Sequence, residues 1–510
     1  MEDPMNIDQV VKWLDTSMEE ACDVAAPWIG SRRPRRKAYW WCEFVADLRR
    51  RCIRARRSWQ RAKKRRRSEE TIADLGVHYK HLRKDLRLEI GRRKSAAWQE
   101  LLGSVDKDPW GLPYRLVLKK LKTASLGLTE VLEPEMLTDL LESLFPPNDE
   151  PDPVDDWSNF VWDNAWATSP TEVNEAIKKA TSSWTKAPGP DGLRMAVWRR
   201  STREFLHWVS HLFNLCLSKG EFPLEWKGAN LVLIPKENTP SAGLPKVRPI
   251  CLLNDIGKTF ERVLEIRISR WQEGSPESDV SEFQFGFRRH WSTCDALRLL
   301  REIISSAVND GGFAVVVSLD IQIAFNSLPW RIIRQALKEK LFPSYIRQII
   351  DSYLADRTVW YIGRDGRSHS WPMEAGVPQG SVLGPVLWNL GFDCILDIAE
   401  DDENSNILCY ADDTLVVVTG RNCELTCLKA SILVNRVIDR IRGLGLSVAT
   451  NKTEAILFTV KGWRSPELDF HRGHTGGIPT KHKVPRGHDR CALDIFGPLP
   501  ICDWKNGACR

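Results

Sequence analysis

The chain has 510 residues, with 73 Lys and Arg against 67 Asp and Glu, a formal net charge of +6 and 42% hydrophobic residues. This composition suits a protein with a sizeable core and roughly three domains at ~150 residues each. No apolar run approaches the ~18 residues of a membrane span, and the first residues do not resemble a secretory signal. We therefore expect a cytoplasmic and nuclear protein with no membrane partner, whose scattered cysteines are free buried thiols.

The first predicted element is a helix over residues 38–105, a stretch without proline. The segment Arg32–Arg67 contains 17 Lys and Arg but only two acids, a local charge of +15 that leaves −9 for the rest of the chain. A one-signed block interleaved with tryptophan is typical of a nucleic-acid contact. A solvated helix face or a nuclear-import signal is the alternative. Discontinuous apolar positions mark the predicted buried stripe: Leu48, Ile53, Trp59, Ile72 and Leu75.

Two proline-containing stretches follow, Asp108–Tyr114, which ends the helix, and the acidic segment 146–156, which is the best linker candidate. From about residue 168 the pattern predicts a mixture of amphipathic helices and short β-branched strands. The predicted helices cover residues 171–180, 204–217 and 256–271, and the predicted strands cover residues 231–235, 314–320, 407–410 and 414–418.

Three acids follow or interrupt predicted strands. Asp320 ends one apolar strand, and Asp412 and Asp413 lie between two others in a predicted β-hairpin. Alone, each segment is a weak signal, because an acidic pair in a turn is usually solvated. If the three carboxylates cluster, they need a divalent cation, and hard oxygen ligands suit Mg²⁺. Two such ions can align an attacking hydroxyl with a phosphate and stabilise the leaving oxygen.

Seven blocks in order, over about residues 184–458, resemble the reverse transcriptases of non-LTR (LINE-type) retrotransposons. The first three are KAPGPDGL at 186–193, LIPK at 233–236 with VRPICLLN at 247–254 and GKTFE at 257–261, and QFGFR at 284–288 with STCDA at 292–296. The others are LDIQIAFN at 319–326, GVPQGSVLGP at 376–385, YADD at 410–413, and GLS at 445–447 with NKTE at 451–454.

The resemblance implies an α+β fold, a right-hand polymerase fingers and palm with an antiparallel sheet and helices, preceded by a basic helical extension. The predicted segments are a basic bridge region (1–107), an N-terminal extension of the polymerase (108–167), fingers and palm (168–460), and a degenerate tail (461–510). The implied reaction is RNA-directed DNA synthesis from a DNA 3′-OH, with deoxynucleoside triphosphates and two Mg²⁺ ions, or Mn²⁺ in their place.

The resemblance also implies residue roles. Asp320, Asp412 and Asp413 would hold the metals, and Phe325 would exclude a ribose 2′-OH unless it is a core residue. Gln379, followed by Gly380, would lie beside the incoming sugar, because glycine permits close backbone approach.

Three basic residues complete the implied site. Lys236 and Arg248 would hold the triphosphate, Arg248 through its bidentate fork, with a surface turn as the alternative for both. Lys452 would protonate the departing pyrophosphate as a general acid, or would be a plain surface lysine. Asn326 stands where many relatives carry a second acid, outside the metal triad.

The alternative function is an inactive nucleic-acid-binding remnant of such a polymerase, and a cellular or intron-type reverse transcriptase is a weaker third reading. The family's longer members begin with an endonuclease, and the sequence before the bridge is too short to hold one. We therefore expect a truncated copy that also lacks the thumb.

The thumb normally begins with a KYLGV strand, which does not follow Glu454. One codon choice compatible with residues 483–491 is AAA GTA CCT CGG GGT CAT GAT CGA TGC, which encodes KYLGVMID when it is read one base later. We therefore hypothesise a frameshift between Phe458 and Lys483. Four candidate zinc ligands in this tail match no finger spacing, and we predict no zinc there: His488, Cys491, Cys502 and Cys509.

Overall fold

The computed structural model of the chain describes residues 6–25, 42–65, 67–105, 127–148, 152–180, 187–236, 243–399, 402–460 and 462–464. The predictions for the Asp108–Tyr114 stretch and for nearly all of the 461–510 tail lie outside these residues. Contacts divide the chain into two compact units, Cys22–Leu126 and a larger one made of Met1–Ala21 and Gly127–Arg510. No helix of the described part is long and apolar enough to cross a membrane.

The smaller unit is built from two helices packed on each other, α2 (Glu43–Lys64) and α3 (Glu69–Val105). Cys52 and Ala55 of α2 form a small core with Leu82 of α3. The prediction of one continuous helix is therefore wrong at residues 65, 67 and 68, which are not helical. Ile53 was predicted in the buried stripe, yet it is exposed.

The first helix, α1 (Ile7–Ala25), begins in the larger unit. Ile7, Val11 and Leu14 are fully buried there, and the Asp8 carboxylate accepts the N–H of Leu224 at 2.9 Å. Residues 7–21 therefore pack with the chain beyond residue 127, whereas the predicted bridge region grouped them with residues up to 107.

The other helices of the larger unit follow the apolar periodicity of the sequence. In chain order they are α4 (Leu128–Val131), α5 (Pro134–Leu144), α6 (Pro170–Lys179), α7 (Met195–Trp198), α8 (Arg203–Lys219), α9 (Leu224–Lys227), α10 (Asp255–Gly274), α11 (Thr293–Asn309), α12 (Ala324–Ser327), α13 (Trp330–Glu339), α14 (Ser344–Leu354), α15 (Gly384–Phe392) and α16 (Cys423–Gly443). The three helices predicted between residues 171 and 271 correspond to α6, α8 and α10.

Local capping explains where several of these helices begin. The Ser169 hydroxyl accepts the N–H of Glu172 at the start of α6, where Pro170 is the first helical residue. Ser292 and Asp295 form a reciprocal capping box at the start of α11. These side chains satisfy backbone donors that have no partner inside the helix.

A four-stranded sheet has the order β2-β1-β4-β5. Its members are β1 (Ala229–Pro235), β2 (Val247–Leu252), β4 (Arg357–Ile362) and β5 (Ser368–Met373). The β1–β4 pair is parallel and the other two pairs are antiparallel. Leucines of α5 pack with one face of this sheet in a single apolar core.

A five-stranded antiparallel sheet has the order β6-β7-β3-β8-β9. Its members are β3 (Phe313–Leu319), β6 (Ser405–Tyr410), β7 (Asp413–Gly420), β8 (Glu454–Thr459) and β9 (Gly462–Arg464). Central strands β3 and β7 are buried along most of their length because α11 and α16 pack on them. Such strands read as continuous apolar runs, which is why the sequence predicted both of them.

The acidic segment at 146–156 is anchored where the structure describes it. Asp152 pairs with Arg334 of α13, and Asp155 pairs with Arg347 of α14. The Trp157 indole donates to Asp351 at 2.8 Å. Two of the acids that suggested a linker, Asp152 and Asp155, are therefore partners of basic residues on these two helices.

Candidate active site

The first of the predicted acids lies directly after β3. The Asp320 carbonyl accepts the N–H of Ala449 at 2.8 Å, and Ile321 forms an isolated bridge with Val448. These bonds join the end of β3 to the segment that leads to Lys452. The Asp320 side chain remains partly accessible, at 31% of its surface.

The second and third acids lie on a tight hairpin between β6 and β7. Tyr410 pairs with Asp413, so Ala411 and Asp412 form a two-residue connection. Ala411 has a φ of 61°, which a two-residue hairpin turn requires and which a residue with a Cβ adopts at a cost. The predicted hairpin is confirmed, with Asp413 as the first residue of β7.

Strand register brings the three acids together. Leu319 pairs with Thr414 across β3 and β7, so the same antiparallel register sets Asp320 opposite Asp413. Burial, the neighbouring Asp412 and then Asp320 raise the pKa of the Asp413 carboxyl to about 6. Burial and then Asp320 also raise the pKa of Asp412. The site therefore carries negative charge that the protein only partly compensates.

Two lysines supply that partial compensation. The Lys452 ammonium contacts Oδ2 of Asp320, and its charge lowers the pKa values of Asp412 and Asp413. Lys236, which follows β1, also lowers the pKa of Asp412. The structure thus brings two predicted basic residues to the carboxylates. Arg248 lies on the exposed side of β2, opposite Ile234.

The carboxylate oxygens of Asp320, Asp412 and Asp413 are suitable ligands for a hard cation. The three groups also repel one another, which contributes to the raised pKa values of Asp412 and Asp413. In the described part of the chain, however, no three His, Cys, Asp or Glu side chains are arranged as a closed metal site. The backbone places Asp320, Asp412 and Asp413 side by side, and their oxygens would have to turn towards a shared ion.

Phe325 lies on α12, five residues after Asp320. Its ring is half-buried, with its centroid 5.3 Å from that of Trp388 and 5.9 Å from that of Phe287. Its carbonyl accepts the N–H of Val377 at 2.7 Å. This bond connects the helix of Phe325 to the loop that carries Gln379.

Gln379 and Gly380 lie against the edge of the four-stranded sheet. The Gln379 carbonyl accepts the N–H of Cys251 on β2 at 2.8 Å. Gly380 has a φ of 128°, and a Cβ there would meet the Cys251 carbonyl oxygen at 2.5 Å. Glycine is therefore required at this position by both conformation and space.

Two further residues were recognised in the sequence only as parts of a motif. The fully buried Gln284 accepts the N–H groups of Gly286 and Ala411 through one oxygen, each at 3.0 Å. At Gly286, an added Cβ would lie 2.2 Å from the Ala411 nitrogen. These residues brace the acidic hairpin, a role that no local pattern indicates because the partner lies 127 residues away.

The described residues of the larger unit have the arrangement of a polymerase palm. Asp320, at the end of β3, lies beside the acidic hairpin that joins β6 to the neighbouring strand β7. Residues 234–484 match the family model "Reverse transcriptase (RNA-dependent DNA polymerase)". This match identifies a reverse transcriptase domain in the chain, and its relatives include the reverse transcriptases of non-LTR retrotransposons.

One relative is the putative 115 kDa protein in the type-1 retrotransposable element R1DM of Drosophila melanogaster. It is 27% identical over 91% of this chain and 44% of its own length. The RNA-directed DNA polymerase from the mobile element jockey of the same organism is 32% identical over 49% of this chain and 27% of its own. The chain thus spans less than half the length of these relatives. A telomerase structure from Candida albicans is 14% identical, with a TM-score of 0.35 over 48% of this chain and 44% of its own.

Several predicted features lie outside the described residues. They are the first residue of the 186–193 block, much of the Arg32–Arg67 segment before α2, and the four candidate zinc ligands of the tail.

Proposed function

We propose that the chain is an RNA-directed DNA polymerase that extends a DNA 3′-OH on an RNA template, using deoxynucleoside triphosphates. The observation that carries this proposal is the β3–β7 register, which sets Asp320 opposite Asp413 and next to the Asp412 turn. The family match over residues 234–484 supports the same reaction.

In this proposal Asp320, Asp412 and Asp413 would hold two Mg²⁺ ions, which would supply positive charge next to the attacking and leaving oxygens. The chain's own residues orient the reactants. The primer 3′-OH would approach the side of the site where Asp320 remains accessible. The brace fixes the hairpin backbone that carries Asp412 and Asp413, so that only their side chains would have to turn towards the ions.

Basic residues act on the triphosphate in this proposal. Lys236 lies within electrostatic range of Asp412, which favours a role at the phosphates, and Arg248 projects from the adjacent strand on the same sheet. Lys452 has its ammonium at the carboxylate cluster and is 60% exposed, so it can reach both Asp320 and a departing pyrophosphate. Its proton would pass to the pyrophosphate oxygen as the bond to the α-phosphorus breaks.

Nucleotide selection falls to Phe325 and to the Gln379–Gly380 loop. The Phe325 ring is held by Trp388, so it cannot readily move aside for a 2′-hydroxyl. Gly380 has no side chain, which permits a nucleotide to approach its backbone closely.

The test is incorporation of dTTP on a poly(rA)/oligo(dT) primer–template with Mg²⁺. We expect the unmodified chain to extend the primer, and Asp412→Asn to reduce the rate by at least about a thousandfold, because one ligand charge is lost at the reacting centre. Asp402→Asn is the matched control, since Asp402 lies in the turn before β6, accepts hydrogen bonds from Asn404 and Ser405, and forms an ion pair with the half-exposed Lys429.

Failure of the unmodified chain to extend any primer, together with salt-sensitive RNA binding, would instead support the inactive nucleic-acid-binding alternative. Equal rates for Asp412→Asn and the unmodified chain would contradict the proposed site.

A further inference from the structure

A fully buried carboxylate lies behind the Gln379–Gly380 loop and has no part in the reaction described above. Glu261 of α10 is 0% exposed. Its Oε2 accepts the N–H of Val382 at 2.6 Å and the N–H of Leu383 at 3.0 Å. Hydrogen bonds from backbone N–H groups to a buried carboxylate are strong, so they hold these two N–H groups in place.

The two donors connect the loop to the helix that follows. Val382 comes two residues after Gly380, and Leu383 is the N-cap of α15. Ser381 accepts the N–H of Gly384 at 3.0 Å, which continues the same turn. The loop's other side is bonded to Cys251 of β2 and to Phe325. The backbone on either side of Gly380 is therefore held by fixed contacts, and Glu261 supplies those on the α15 side.

A buried cation accompanies the carboxylate. Arg357 begins β4 and is 1% exposed, with its guanidinium 4.2 Å from the centre of the Tyr353 ring. Burial raises the pKa of Glu261, and the positive charge of Arg357 opposes that rise more than any other group. Oε1 of Glu261 and two guanidinium nitrogens of Arg357 have no hydrogen-bond partner, although all are buried. The remaining guanidinium nitrogen, Nη1 of Arg357, donates to the Tyr353 carbonyl at 2.7 Å, and the opposite charges of Glu261 and Arg357 compensate each other.

We propose that Glu261 is a positioning residue that sets the Gln379–Gly380 loop, and through it the binding of the incoming deoxynucleoside triphosphate, with the buried Arg357 as its counter-charge. The inference rests on the proposed polymerase function for its kinetic consequence. The structural part, that the carboxylate holds the backbone of residues 382–383, does not depend on activity.

The experiment compares Glu261→Gln with the unmodified full chain. Glutamine keeps an acceptor oxygen for the two N–H groups but removes the charge, which leaves Arg357 buried without compensation. We expect the KM for dTTP to rise on the order of tenfold while kcat changes less than about threefold, because the loop and not the metal site is disturbed. Amide exchange of the peptide that covers residues 381–387 should become faster by a similar factor.

Two further variants complete the design. Glu273→Gln removes an exposed carboxylate from the same helix, and neither readout should change. Arg357→Gln combined with Glu261→Gln restores charge balance, so it should bring the KM for dTTP most of the way back to the unmodified value, which a general loss of folding would not.

Unchanged exchange and unchanged KM in Glu261→Gln would overturn the inference, as would a variant that melts earlier while keeping both values. If the unmodified chain incorporates no nucleotide, the polymerase proposal fails, and the exchange measurement still decides whether Glu261 holds this turn.

Discussion

At the scale of single residues, Asp412 and Asp413 differ from the exposed acids of the chain in the direction of their pKa shifts. Exposed acids such as Asp402 have pKa values lowered by local hydrogen bonds, whereas burial and neighbouring carboxylates raise those of the hairpin pair. A site that destabilises its own charges in the absence of a cation gains most when a cation binds.

This difference predicts a pH dependence of stability. The pKa of Asp413 is about 6 in the folded chain, above the usual value of about 4. The folded state therefore binds this proton more tightly than the unfolded chain, so the contribution of Asp413 to stability is greatest below about pH 4 and is lost as the pH rises through about 6. Because Asp413 is partly exposed, we expect a loss of only about 1 kcal/mol.

Urea unfolding with EDTA at pH 4 and pH 7 measures this loss. Asp413→Asn should abolish this loss. The free energy of unfolding should therefore fall less between pH 4 and pH 7 in the variant than in the unmodified chain. The same pH dependence in both proteins would show that Asp413 is an ordinary carboxylate.

Phe325 offers a second prediction at this scale. Phe325→Val shortens the side chain that would meet a ribose 2′-OH, so discrimination against ribonucleotides should fall by on the order of tenfold to a hundredfold. The measurement is the ratio of kcat/KM for dTTP and UTP on the same primer–template. Because dTTP serves as the internal reference, a general loss of folding would lower both values and leave the ratio unchanged. An unchanged ratio would assign Phe325 to the core beside Trp388.

At the scale of elements, the acidic hairpin depends on a segment far away in the sequence. Gly286→Ala would force a Cβ into the Ala411 backbone, which is not a flexible group that can move aside. We expect a loss of stability of about 2–4 kcal/mol and at least a hundredfold loss of incorporation, since the Asp412 turn must shift. Thermal unfolding and the dTTP assay measure the two effects.

The matched control is Gly443→Ala on α16, where no atom lies within 4 Å of an added Cβ. This change should be neutral or should stabilise the helix by up to about 1 kcal/mol. If Gly286→Ala behaved like the control, the acidic hairpin would not be braced by Gln284 and Gly286.

The elements also show what the sequence could and could not predict. The strands before Asp320 and on either side of Asp412 were predicted because apolar β-branched runs end at charged residues. Their pairing register was not, since it depends on which strands meet. The break after α2 was missed because Arg, Lys and Ser continue through it and are all compatible with a helix. The brace by Gln284 and the buried Glu261 were invisible, because both act on backbone groups more than 100 residues away.

At the scale of the whole molecule, charge is divided between the two compact units. In the smaller unit, residues 51–65 contain eight Lys and Arg and no acid. The buried side of α2 is supplied by Val45, Leu48, Cys52 and Ala55, so the basic residues of this helix are left exposed. The packing of α2 on α3 thus leaves the basic residues of α2 on the surface, where a polyanion partner can contact them.

That surface predicts a salt-dependent contribution to RNA binding. Arg54, Arg57, Arg61 and Lys64 are exposed and recur at helical spacing, so they lie along one side of α2. Replacing all four with Gln should weaken binding and reduce the slope of log K against log salt by up to roughly 3, because each neutralised phosphate of a single strand adds about 0.7 to that slope.

Fluorescence anisotropy with a labelled poly(rA) strand at several salt concentrations measures this slope. The control chain carries the same change in net charge, because four other exposed basic residues are replaced by Gln. They are Lys178, Lys179, Arg203 and Lys219. Because these residues lie on α6 and α8, a slope that falls equally in both proteins would reflect net charge alone. A fall in slope confined to the α2 variant would identify this helix as a nucleic-acid contact. An unchanged slope would indicate that its basic residues form a solvated face or a nuclear-import signal.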